Sequence, residues 1–232
     1  MEKKAMIFNS IALPILLAVD ILYMIFSGLW LKGVTSSIFV IIGIVNLILV
    51  SREGKTLGGN FKYLMCTGLF VCFVADILLN IWFIIGAIVF AVGHVFYFVA
   101  YLQLSKFSLK DIICGLCIVV PSILVLILYP FDYQGLFPVI IVYAIIISFM
   151  VGKAISNAIF GNGSLISRLL IVIGSALFFI SDLALLFSIF GGGGVPADNV
   201  CLLTYYPAQG ILALAIYFAC KNTETKKVEE SK

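Results

Sequence analysis

Charge is scarce in this sequence: only 11% of its 232 residues are Asp, Glu, Lys or Arg, against roughly a quarter in an ordinary soluble domain. That deficit excludes a surface made mainly for water. The 14 Lys and Arg residues are scattered and leave a net charge of +3, so the clustered basic face that a nucleic-acid partner needs is missing too. Histidine is almost absent, His94 being the only one. Cys114 and Cys117 form a CxxC, but no second Cys pair or histidine lies nearby in the sequence to complete a zinc shell, and no metal or cofactor is expected. The other cysteines, Cys66, Cys72, Cys201 and Cys220, fall inside or at the ends of apolar runs, where a thiol acts as a small polarizable core residue.

What remains is apolar. Hydrophobic residues make up 63% of the chain and the mean hydropathy is +1.24. Counted against the roughly 20 residues that cross a hydrocarbon layer, eight runs qualify, near 7–27, 34–51, 62–80, 83–104, 109–128, 136–154, 166–190 and 200–220. The expected fold is therefore all-α, a polytopic membrane protein of about eight transmembrane helices. Residues 1–221 would form one membrane domain, with a polar, disordered cytoplasmic tail over 222–232. Lys3 and Lys4 precede an apolar stretch as in a signal peptide, but Pro14, Asp20 and the lack of a small-residue cleavage site favour a retained first helix. The expected location is the membrane of a bacterial cell.

Orientation follows from the basic residues. With a cytoplasmic N-terminus, Lys3, Lys4, Arg52, Lys55, Lys62, Lys106, Lys110, Lys153, Arg168, Lys221, Lys226, Lys227 and Lys232 all fall inside, and only Lys32 falls outside. Both termini are then cytoplasmic. Trp30, Trp82, Tyr129, Tyr133, Tyr205 and Tyr206 collect at the outer boundary as an aromatic belt.

The third run carries Gly68 eight residues before Asp76, and the seventh carries Gly174 eight residues before Asp182. The two runs cross in the same direction, so the likeness points to a parallel repeat of four helices plus four. Ionisable side chains at such depth cost about 2.5–3.5 kcal/mol each on insertion scales and need a partner or a purpose. From a rise of about 1.5 Å per residue, Asp20 lies roughly 10 Å deep, Asp76 roughly 6 Å, His94 roughly 18 Å and Asp182 roughly 12 Å from the outer ends. Four helices thus bring polar groups to overlapping depths, as around one cavity opening outward. Helical spacing adds neighbours: Cys72 and Asn80 share the face of Asp76, Phe90, Tyr97 and Tyr101 that of His94, Ser175 that of Asp182, and Tyr205 that of Gln209. Asn46 and Ser36 read as helix contacts.

The stretch from Gly68 to Tyr101 resembles the YhhN-like transmembrane family, to which the lysoplasmalogenases belong. The shared pattern is an Asp-bearing helix followed by FxxGxxxFxxxHxxY, here Phe83, Gly86, Phe90, His94 and Tyr97. The segment from Gly174 to Leu186 is similar to the family's second Asp helix, and TYYPAQGILA, beginning at Thr204, to its last helix. Ala75 stands where the family often has Gly, and an early Lys-Pro pair is lacking. The resemblance implies hydrolysis of the vinyl ether of a lysophospholipid, with membrane lipids as surroundings. Asp76 and Asp182 would be the catalytic pair, with His94, Tyr97, Gln209, Asp20, Asn80 and Tyr205 supporting them or binding substrate. From the residues alone, a proton- or cation-coupled transporter and a non-catalytic lipid-binding protein stay open.

Overall fold

The computed structural model describes residues 2–53 and 59–230, with side chains described through residue 220. Lys55 and the side chains of the tail expected to be disordered lie outside those described residues. Eight helices follow in order: α1 (Glu2–Phe26), α2 (Leu29–Arg52), α3 (Phe61–Ile81), α4 (Phe83–Leu102), α5 (Leu109–Leu128), α6 (Phe137–Phe160), α7 (Leu165–Phe190) and α8 (Gly194–Glu230). All eight are long and apolar enough to cross a membrane, and there is no strand among the described residues. The exterior of the bundle is apolar, with Ile11, Ile25, Ile113 and Ile127 exposed, while Asn46, Asp76, His94 and Gln209 are buried inside. This inversion of the soluble arrangement is what lipid as solvent requires, and the chain is an integral membrane protein.

The connections are tight where the sequence permits. Ser27 and Gly28 alone join α1 to α2, both at positive φ; at φ 109° only glycine is at ease. The glycine run after α7 forms a compact turn. Gly191 and Gly193 both donate to the carbonyl of Phe187, Gly192 sits at φ 70°, and Gly194 already opens α8. The α8 helix therefore starts earlier than the apolar run at 200, and α6 ends later than its run at 154.

Helix packing carries the duplication that the two Gly–Asp segments hinted at. The contacts α1·α2, α2·α3, α3·α4 and α2·α8 have counterparts in α5·α6, α6·α7, α7·α8 and α6·α4, the set produced by exchanging the two four-helix halves. The exchange is imperfect, because α8 also packs on α1 and α3, whereas among the described residues α5 packs only on α6. Accordingly α8 is the central helix, with 61% of its apolar window buried against 22% for α1 and α5. Asn9 and Asn46 exchange two 2.9 Å amide hydrogen bonds, and Asn46 also donates to the Ala213 carbonyl, tying α1, α2 and α8 together. The expected role of Asn46 as a helix contact agrees with this.

The α3–α4 hairpin depends on Gly86. A Cβ there would lie 2.6 Å from Leu79 Cα, a main-chain atom that no rotamer change can move. Gly86→Ala is expected to lower stability by about 1–3 kcal/mol, the usual cost of overpacking, and a thermal melt in detergent reads it. A melting midpoint equal to wild type would show that the hairpin opens without penalty.

Candidate functional site

The α3 and α7 helices each bring a carboxyl into the bundle beside a glycine that lets the next helix close in. A Cβ on Gly68 would sit 2.6 Å from the Tyr97 ring of α4, and one on Gly174 2.8 Å from Leu212 of α8. Two turns further along each helix comes the aspartate.

Asp76 is 2% exposed. Its Oδ2 accepts from Ser36 Oγ of α2 at 2.6 Å and from the Tyr205 hydroxyl of α8 at 2.9 Å. Gln209 Nε2 donates to Tyr205 at 3.2 Å, and the Tyr97 hydroxyl donates to Gln209 Oε1 at 2.7 Å. A continuous relay thus runs from α4 through α8 to the carboxyl.

Asp182 repeats the plan from the other half. Its Oδ2 accepts from the Tyr143 hydroxyl of α6 at 2.6 Å and lies 3.1 Å from His94 Nε2 of α4; the same Nε2 is 2.8 Å from the Tyr143 oxygen. In both sites one hydrogen-bond partner comes from the helix before the aspartate and the other from the last helix of the opposite half. Both sets of bonds converge on Oδ2. His94 is completely buried, its ring edge-on to Phe178 at 4.6 Å and to Tyr143 at 5.3 Å. Phe178 also meets Tyr205 edge-on at 5.3 Å, so a single aromatic ring separates the two hydrogen-bonded sets and keeps them at fixed spacing.

Two cavities adjoin these carboxyls. The first, about 350 Å³, is the more polar of the two and is lined by Asp76, Asp182, Tyr205, Lys32, Asp198 and Asn199 among others. The second, about 120 Å³, is apolar and lies among α4, α5, α6 and α7, with Ile140, Ala144, Leu126 and Phe179 in its wall. Leu79, Phe90, Asp182 and Leu185 line both. Asp182, 14% exposed at its side chain, is the one ionisable group at that seam.

Of the residues singled out from the sequence, Asp76, Asp182, His94, Tyr97, Gln209 and Tyr205 come together here. Two do not join them. Asn80 turns back to donate to the Asp76 main-chain oxygen at 2.8 Å, relieving its own helix end. Asp20 is buried on α1 with Oδ1 lacking a hydrogen-bond partner, and it lines neither cavity. The structure also corrects the reading of Ser36, which bonds the carboxyl and is more than a helix contact. Tyr143 and Phe178 were not among the residues singled out from the sequence, and Lys32 was read there only as the one basic residue on the outer side. The repeat itself held a signal for Tyr143: shifting Ser36 by the spacing between the two aspartates lands beside it.

The site is thus a pair of hydrogen-bonded carboxyls beside internal cavities in an all-helical membrane bundle. The chain belongs to the YhhN family, whose sequence profile matches residues 34–216. That span runs from α2 into α8 and includes both carboxyl sites, but begins just after Lys32. No curated protein and no solved structure matches the chain.

Proposed function

We propose that this protein is a membrane-embedded hydrolase that cleaves the vinyl ether of a lysoplasmalogen-type lysophospholipid into a fatty aldehyde and a glycerophospho-alcohol. One observation carries the reading: Asp182 stands where a polar cavity meets an apolar one. A single-chain lipid laid across both compartments has its headgroup in the first and its hydrocarbon in the second, with the ether linkage at the seam.

The reaction divides between the carboxyls according to that polarity. The β-carbon of a vinyl ether is on the chain side, so Asp182, next to the apolar compartment, delivers the proton to it. The double bond becomes an oxocarbenium ion, whose charge the carboxylate left behind stabilises. Asp76, facing the polar compartment, takes a proton from water as its oxygen attacks the α-carbon. The resulting hemiacetal then breaks its bond to the glycerol oxygen, which takes the proton held by Asp76, while the hemiacetal hydroxyl passes its proton to Asp182 as the carbonyl forms, and the aldehyde departs along the apolar side. His94 and Tyr143 hold Asp182 in place, and Ser36 and Tyr205 hold Asp76. No water or proton is left over: one water is consumed and both carboxyls return to their starting states.

Both termini are placed on the cytoplasmic side of a cell membrane in this proposal, as the basic residues favour, so the polar cavity opens outward. The reading is tested by reconstituting the purified protein in vesicles with an alkenyl lysophospholipid and measuring aldehyde. Stoichiometric release of aldehyde and glycerophospho-alcohol is expected; silence in wild type, with the lipid shown to be bound, would sink the hydrolase and leave a lipid-binding or transport role.

A further inference from the structure

The polar cavity contains one cation. Lys32, in the first turn of α2, lines it together with Asp76, Asp182 and Asp198. Its position is unusual twice over: every other Lys and Arg falls on the opposite side of the expected membrane, and among the described residues no carboxylate lies within ion-pair distance of its ammonium. Lys32 is half-buried, whereas the two lysines buried among the helices have partners: Lys153 lies 3.0 Å from Asp111 and Lys62 donates to Ser51 at 3.0 Å.

The Asp76 and Asp198 carboxylates in one cavity repel an anionic ligand, and a site for a simple cation gains nothing from a lysine in its lining. A ligand carrying both signs fits the set. We propose that Lys32 holds the phosphate of a zwitterionic single-chain phospholipid and Asp198 its ammonium group, which deepens, and rests on, the hydrolase reading given above. Lysine binds phosphate as a compact charge donating up to three hydrogen bonds. Asp198 is exposed at the mouth, on the first turns of α8, where the Ser188 hydroxyl donates to its Oδ1 and fixes the carboxyl in place. Asn199 adds an amide beside it on the same wall. The order along the cavity is then headgroup at the mouth, ether at Asp182 and chain in the apolar compartment, each piece matched to its lining.

Binding can be read without turnover by using saturated 1-O-alkyl lipids, which have no vinyl bond to cleave. The full-length protein in detergent should bind 1-O-alkyl lysophosphocholine, and Lys32→Gln should raise its Kd roughly tenfold or more, as expected for losing one charge-assisted hydrogen bond. The Kd for 1-O-alkylglycerol of equal chain length, which lacks phosphate, should not move. Asp198→Asn should weaken phosphocholine binding while sparing the alkyl phosphate monoester. With cleavable substrate, Lys32→Gln should raise KM more than it lowers kcat. Equal binding of the phosphocholine lipid by Lys32→Gln and wild type overturns the proposal, as does an equal loss for the phosphate-free lipid. Binding that depends on Lys32 in a wild type that releases no aldehyde would instead uphold the headgroup site and discard the hydrolase.

Discussion

Asp182→Asn is expected to release fatty aldehyde at least about a hundredfold more slowly than wild type, the lower end of what one positioned acid or base contributes. The substitution is nearly isosteric. Its side-chain oxygen can still accept from Tyr143, whose hydroxyl lies 2.6 Å from Oδ2 in the wild type, so the packing of α6 against α7 has no reason to fail. What it loses is the transferable proton. Asp76→Asn should show a loss of the same order for a different reason: the amide cannot take a proton from the attacking water. Because the two groups act in one sequence of steps, the double variant should be little worse than either single one, the non-additivity expected of residues that work as a unit. Melting midpoints close to wild type would assign the losses to chemistry. Undiminished release from both single variants removes the carboxyls from the reaction altogether.

Much of this arrangement was legible in the sequence because lipid makes polar residues conspicuous. The eight spans, both aspartates, His94 and the Tyr97–Gln209–Tyr205 set were all visible as costly exceptions in apolar runs. Three kinds of information were not. Depth along separate helices does not say which side chains meet: His94 and Asp182 were placed roughly 6 Å apart in depth by helical rise, yet their polar atoms are 3.1 Å apart, since long side chains span that difference. Residues that make no exception on their own stayed silent, so Tyr143 passed as one more aromatic and Ser36 as a small packing residue. The ends of spans were blurred wherever polarity turned inward. The sixth run was taken to end at 154, just past Lys153, but the helix continues to Phe160, because Asn157 bonds the Tyr101 carbonyl and Lys153 is itself buried. A lysine that finds its partner inside the protein marks no boundary.

That lysine is the basis of the second large effect. Lys153→Met is expected to cost about 3–5 kcal/mol, the usual penalty for stranding one member of a buried ion pair. Lys153 Nζ donates to Asp111 Oδ2 at 3.0 Å, to Ser105 Oγ at 2.9 Å and to the Lys106 carbonyl at 3.3 Å. Asp111 is 2% exposed, so without the lysine its charge has neither water nor cation. The same carboxyl accepts from the Ser108 amide at 2.7 Å and so caps α5. Since among the described residues α5 packs only on α6, this pair anchors at one end the helix that walls the apolar cavity through Ser122 and Leu126. Adding Asp111→Asn to Lys153→Met removes the stranded charge while leaving an oxygen for the cap, and the double variant should recover most of the lost stability. Denaturant midpoints for the two single variants and the double variant give the coupling directly. If Lys153→Met alone costs under about 1 kcal/mol, the pair is no more than a surface bridge in effect, and the anchor of α5 must be sought in its apolar contacts with α6.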